Sequence, residues 1–135
     1  MIVNTSALLA LFDASEPHHE VVRDVILPSD EMLVVSPYVL AELDYLVSKR
    51  HGVASELAVL RELAGGAWEL ANVGAGDVQQ AAAVIERYAD QEIGIADASV
   101  VVLAHRYGTR TVATLDHRHF DVLRPLSGGR FRVVP

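Results

Sequence analysis

Apolar residues fall into two textures along the chain. Short runs rich in apolar residues occur at Met1–Asn4, Met32–Val35, Trp68–Asn72, Thr111–Leu115 and Phe131–Val134. They predict strands buried on both faces. Between them lie longer stretches whose apolar positions recur at three and four residues, the helical spacing. Thr5 and Ser6 are N-cap candidates for SALLALFD, and a second helical pattern covers Pro17–Leu27. Ser36-Pro37 supplies a cap and an N1 proline for YVLAELDYLVSKR, which Gly52 ends. A helix over Ala54–Ala64 stops at Gly65-Gly66, and an Ala-rich helix opens at Gly74 and Gly76 and runs to Tyr88. Gly94 precedes IADASVVVLAHRYG, a helix closed by Gly108.

Strands of this texture separated by helices predict an α/β protein, a sandwich whose sheet is parallel and covered on both faces. No repeat or linker divides the sequence, so residues 1–135 are expected to form a single domain. In parallel sheets of this kind, chemistry gathers at the carboxyl ends of the strands.

Composition narrows the class. The 135 residues are 51% hydrophobic, and a chain of this size buries enough surface to fold without disulfides or structural zinc. The absence of cysteine excludes a thiol nucleophile and Cys-type metal ligation, and fits a reducing cytoplasm. Met1 runs directly into Ile2 and Val3 with no basic segment, and no stretch reaches the roughly 20 apolar residues of a membrane span. No signal peptide and no membrane segment are expected. The formal charge of −7 is unevenly spread: by Lys/Arg and Asp/Glu, residues 1–104 carry −11 and residues 105–135 carry +4. Contact with a phosphate backbone would therefore have to be local or mediated by metal.

Two acidic residues occupy faces that read as buried. Glu42 shares a helical face with Tyr38, Val39 and Leu46, and Asp97 shares one with Val100, Val101 and Ala104. Buried ionised carboxylates need a partner. Asn4 ends the first strand and Asp116 follows the fourth, so a doubly wound sheet in which those strands pair would bring them together. Three carboxylates and an amide in one pocket make an oxygen-rich site for Mg²⁺ or Mn²⁺. Each also has an ordinary role open to it: Glu42 in an ion pair, Asp97 beside a helix N-terminus, Asp116 in a turn.

Four spaced motifs decide between these readings: N-T-S at Asn4 to Ser6, S-P-Y-V-L-A-E-L at Ser36 to Leu43, G-I-A-D-A-S at Gly94 to Ser99, and T-L-D-H-R-H-F at Thr114 to Phe120. Over its full length the chain resembles a PIN domain, and more narrowly the VapC toxins of type II toxin–antitoxin pairs. That resemblance implies a three-layer α/β/α sandwich with a mainly parallel five-stranded sheet, and Mg²⁺- or Mn²⁺-dependent endoribonuclease activity. It places the acidic quartet at position 4, Glu42, Asp97 and Asp116. Position 4, Asp97 and Asp116 would coordinate metal, and Glu42 would orient the attacking water or hold a second ion. Divalent ions suit phosphodiester hydrolysis because they supply both an activated water and charge neutralisation. Ser6 and Thr114 would support the ligands with their hydroxyls, and His117, Arg118 and His119 would contact RNA.

The family's aspartate at position 4 is Asn4 in this chain. Asn keeps the shape and a carbonyl oxygen but removes one negative charge, so metal affinity should fall. Two explanations stand: a substitution introduced to silence a toxic nuclease, or a natural variant with attenuated cleavage. The resemblance further implies a cognate VapB-type antitoxin whose C-terminal segment reaches the acidic pocket, a homodimer that joins the antitoxin in a hetero-oligomer, and a tRNA or rRNA substrate. The helix around Val53 to Leu63 is a candidate dimer surface and equally a core element.

A rival class is a PIN-like module that binds antitoxin or RNA without cutting, for which Asn4 speaks. A phosphoreceiver fails because Asp44 lies inside a helix and no lysine follows Lys49, and a P-loop NTPase fails because G-x-x-x-x-G-K is absent. His18-His19 reads as a solvated helix start, Asp44 as a solvated carboxylate and Trp68 as core or interface.

Overall fold

The computed structural model describes residues 1–135. The chain folds as β1 (Ile2–Val3), α1 (Thr5–Phe12), α2 (His19–Ile26), β2 (Val34–Val35), α3 (Pro37–His51), α4 (Val53–Ala64), β3 (Glu69–Leu70), α5 (Ala75–Arg87), α6 (Ile95–Arg106), β4 (Thr111–Ala113), α7 (His117–Phe120) and β5 (Arg132–Val134), with one 3₁₀ turn at Ala89–Gln91. The strands are ordered β3-β2-β1-β4-β5, and every pair is parallel, as the strand texture predicts, where the resemblance implied a mainly parallel sheet. Neighbouring residues on a strand face opposite sides of the sheet. Ile2, Val3, Val34, Val35, Val112 and Ala113 are all at most 1% exposed, so helices cover both faces of the three central strands and the expected three-layer sandwich forms. The edge strands β3 and β5, with Glu69, Leu70 and Arg132 exposed, are not buried on both faces, contrary to the sequence reading.

The strand order fixes the place of the site. From β1 to β3 the sheet grows in one direction, and the chain then crosses back to lay β4 on the other side of β1. The crevice outside the carboxyl ends at such a reversal is where doubly wound sheets bind ligands. The register pairs Ile2 with Val112 and Val3 with Ala113, and the Asn4 N–H donates to the Ala113 carbonyl at 2.9 Å. Asn4 and Asp116 therefore leave adjacent strands on the same edge, as expected of a sheet in which those strands pair.

Beside this crevice runs α6. Its residues Ala98–Ala104 are all buried, so the helix is packed on every side rather than along one stripe. Asp97 sits in its first turn, where the helix N-terminus favours negative charge. Gly52, at φ 85°, ends α3 in the left-handed region that glycine adopts without steric cost.

Several boundaries differ from the sequence reading. The third strand is shorter than Trp68–Asn72, and Trp68 just before it packs against Phe12, their rings 6.1 Å apart. Residues 117–120 form the short helix α7, capped by Asp116, where the sequence reading had no element. The N-cap of α1 is Asn4, not Thr5 or Ser6, and its side chain makes no capping bond because it turns into the crevice.

Candidate active site

Asn4, Ser6, Glu42, Asp97 and Asp116, with Thr5, Gly94 and Ala96, line one cleft of about 170 Å³ at the sheet reversal. Asn4 is 5% exposed. Its Nδ2 donates to Asp97 Oδ1 at 3.3 Å and to Thr114 Oγ1 at 3.4 Å. Thr114 Oγ1 also accepts from the Asp116 N–H at 3.0 Å. With both lone pairs engaged, the Thr114 hydroxyl is left to donate to Ser6 Oγ, 3.1 Å away, which in turn accepts from the Leu115 N–H at 2.9 Å. Two hydroxyls thus tie the end of β4 to the start of α1, which sets Asn4 against Asp116.

A second pair of hydroxyls ties α3 to α6. Ser99 Oγ donates to the Ala96 carbonyl at 2.6 Å, so the 2.6 Å contact between Ser36 and Ser99 has Ser36 as donor. Ser36 Oγ accepts from the Tyr38 N–H at 3.2 Å and so caps α3. Both serines are buried, and the contact fixes the helix that carries Glu42 to the helix that carries Asp97.

The electrostatics are those of concentrated negative charge. Burial raises the Asp97 carboxyl above its usual range; the Asn4 amide and His119 oppose the shift, and the charges of Asp116 and Glu42 add to it. No lysine or arginine pairs with any of these carboxylates. The one basic group in contact is His119, whose Nδ1 lies 2.8 Å from Asp116 Oδ2 and 3.3 Å from Asp97 Oδ2. Carboxylate, amide and hydroxyl oxygens around a small cleft, with almost no organic counter-charge, form a donor set that fits a hard divalent cation.

Residues 1–124 match the PIN domain family. Over 135 residues, 100% of both chains, the sequence is 66% identical to Ribonuclease VapC26 of Mycobacterium tuberculosis (strain ATCC 25618 / H37Rv). This chain is a PIN-domain protein of the VapC family. Its fold is similar to that of Mycobacterium tuberculosis VapC20, a Sarcin-Ricin loop cleaving toxin, with a TM-score of 0.80 and 22% identity over 86% of this chain and 89% of that one. It is also similar to VapBC2 from Rickettsia felis bound to a DNA fragment from their promoter, with a TM-score of 0.72 and 16% identity over 99% and 98% of the two chains.

The PIN fold places some residues otherwise than the sequence suggested. Glu42 is exposed, not buried with Val39, because α3 presents that turn to the open cleft. His117 and Arg118 are exposed beside Asp116, but His119 turns inward onto the carboxylates instead of facing an incoming RNA. The signal for this lay in the spacing: a residue three after a helix-capping aspartate returns to that aspartate, and the Asp116 Oδ1 accepts the His119 N–H at 3.2 Å. Asp44 is half-buried, not solvated, with Oδ1 unpartnered, and it faces Glu56 on α4. His19 Nδ1 meets the Ala10 carbonyl at 2.8 Å and so serves the α1–α2 junction. No helix is long and apolar enough to cross a membrane.

Proposed function

We propose that this VapC-family chain is the endoribonuclease toxin of a type II toxin–antitoxin pair, that Mg²⁺ or Mn²⁺ serves its cleft, and that Asn4 attenuates cleavage. The observation that carries the reading is the convergence of Asn4, Glu42, Asp97 and Asp116 on one cleft at the sheet reversal. A bound divalent ion would supply the positive charge that lets this acidic cleft receive a phosphodiester and would activate water for its hydrolysis.

The chain's own residues do the rest. Asp97 and Asp116 hold the ion, and the Asn4 carbonyl offers a neutral third oxygen. Glu42, exposed on the rim, orients the attacking water. Ser6 and Thr114 keep Asn4 and Asp116 in register through their hydroxyls. His117 and Arg118, exposed next to Asp116, bind flanking phosphates of a structured tRNA or rRNA. Arg118 makes no ion pair within the chain and is free for that task.

A cognate VapB-type antitoxin completes the pair, and the negative cleft favours a basic side chain from it. Val53 and Leu57, 66% and 41% exposed on α4, offer an apolar strip for homodimerisation, although Val59 and Leu63 of the same helix belong to the core. The expected compartment is the cytoplasm.

The test is restored catalysis. Asn4→Asp should cleave RNA in the presence of Mg²⁺ or Mn²⁺ and inhibit growth, and Glu42→Gln added to it should abolish both. Sequencing of RNA 5′ ends would then identify the substrate. Asn4 itself favours a second reading, a PIN module that binds antitoxin or RNA without cutting. Metal titration and RNA binding by a cleavage-inert Asn4→Asp form would establish that reading instead.

A further inference from the structure

His119 stands one turn beyond Asp116 and points its ring at the carboxylates. Asp116 holds it twice: Oδ1 accepts its backbone N–H at 3.2 Å, and Oδ2 lies 2.8 Å from ring Nδ1. The same Nδ1 is 3.3 Å from Asp97 Oδ2, and the side chain is only 19% exposed. Ligand atoms of Asp97, Asp116 and His119 all lie within 4.8 Å of one another. Two neighbouring ligands on an octahedral ion with bonds of about 2.1 Å stand about 3 Å apart. The two observed separations bracket that spacing.

Resting on the metal-dependent reading of this cleft, we propose that His119 is itself a metal ligand through Nδ1, and that Asp97, Asp116 and His119 together hold a first-row transition ion in preference to Mg²⁺. Mg²⁺ takes oxygen ligands and gains most from negative charge, which Asn4 has reduced by one. An imidazole nitrogen contributes little to Mg²⁺ but binds Co²⁺, Zn²⁺ and, more weakly, Mn²⁺. Asn4 and His119 therefore act in the same direction: the amide weakens the site for the hard ion, and the ring compensates for the softer ones.

A contrary role for the ring is an internal counter-charge that leaves when metal arrives. The two roles predict opposite signs. A ligand lost weakens transition-metal binding, whereas a counter-charge lost strengthens the binding of every divalent ion, because the carboxylates are then freed.

Calorimetric titration of Mn²⁺, Co²⁺ and Mg²⁺ into the chain and into His119→Ala, with circular dichroism to confirm folding, separates them. About a tenfold or greater loss of Mn²⁺ and Co²⁺ affinity is expected, with Mg²⁺ affinity changed by less than about threefold. Pulsed EPR of the unsubstituted chain loaded with Mn²⁺ should show imidazole nitrogen coupling, which His119→Ala removes. Unchanged or tighter Mn²⁺ binding in His119→Ala, or bound Mn²⁺ without nitrogen coupling, would overturn the assignment while leaving the metal reading intact. Failure of all three ions to bind both the chain and Asn4→Asp would remove the metal reading itself.

Discussion

The Asn4 amide donates to the Asp97 carboxylate across 3.3 Å, so the residue at position 4 stabilises its acidic neighbour. An aspartate at position 4 has no proton to give. It would set two carboxylates at that spacing and leave the Thr114 hydroxyl to turn and donate to it. Without divalent ions, Asn4→Asp should lose about 1–3 kcal/mol of stability, seen as a Tm several degrees lower. Saturating Mn²⁺ should recover that loss and add stabilisation that scales with ion concentration, because only the folded form presents the site. An equally stable metal-free variant would mean that Asn4 and Asp97 do not share the contact in solution.

The raised Asp97 carboxyl makes metal binding depend on pH. Burial is the main cause, so the charged form is disfavoured until a cation compensates. Proton and metal compete for the same oxygens. Affinity for Mn²⁺ should therefore weaken as pH falls through a value above the ordinary aspartate pKa of about 4. In Asn4→Asp the amide that lowers this pKa is replaced by another negative charge, so the weakening should begin at still higher pH. Titrations between pH 8 and 5 on both proteins, each carrying His119→Ala so that the ring does not contribute, measure the two onsets; coincident onsets would count against this account of Asp97.

Much of this arrangement is legible from residue order because parallel-sheet geometry converts sequence position into place. Ile2-Val3 and Val112-Ala113 are apolar on consecutive positions, hence central, and once their strands pair the residues that follow them share an edge. What sequence position does not carry is side-chain direction. Glu42 has the spacing of a buried residue, but the cleft opens at that turn of α3. His119 reads from the sequence as an RNA contact, but in the helix capped by Asp116 its ring turns inward onto that carboxylate. The partnership of Ser36 with Ser99 joins residues 63 apart in sequence and depends on how two helices cross.

That partnership should have measurable weight. Ser99→Ala removes the acceptor of the buried Ser36 hydroxyl and should cost about 1–3 kcal/mol. Ser36→Ala forfeits the cap of α3 as well, worth about 1 kcal/mol more. The two losses should not add, and a double-mutant cycle should return a coupling of about 0.5 kcal/mol or greater. Additive losses would mean that the hydroxyls are satisfied separately and that the link between α3 and α6 lies elsewhere.

Asp44 and Glu56 present the opposite situation, a pair of like charges held together by helix packing. The Glu56 carboxyl is raised above its usual range, first by its hydrogen bond with Asp44, then by burial and by the Asp44 charge. A carboxyl whose folded pKa exceeds its unfolded value favours folding when protonated and opposes it when ionised. The pair therefore costs stability above the folded pKa, and the cost fades as pH falls toward the unfolded value of about 4.3. Asp44→Asn replaces one charge by an amide able to donate to Glu56. It should raise Tm at pH 7.5, and its advantage should shrink steadily toward pH 4.5, where protonated Glu56 already bonds to Asp44. Thermal melts of the two proteins across that range decide the matter: a variant less stable at pH 7.5, or an advantage that does not change with pH, would show that α3 and α4 hold these carboxylates apart.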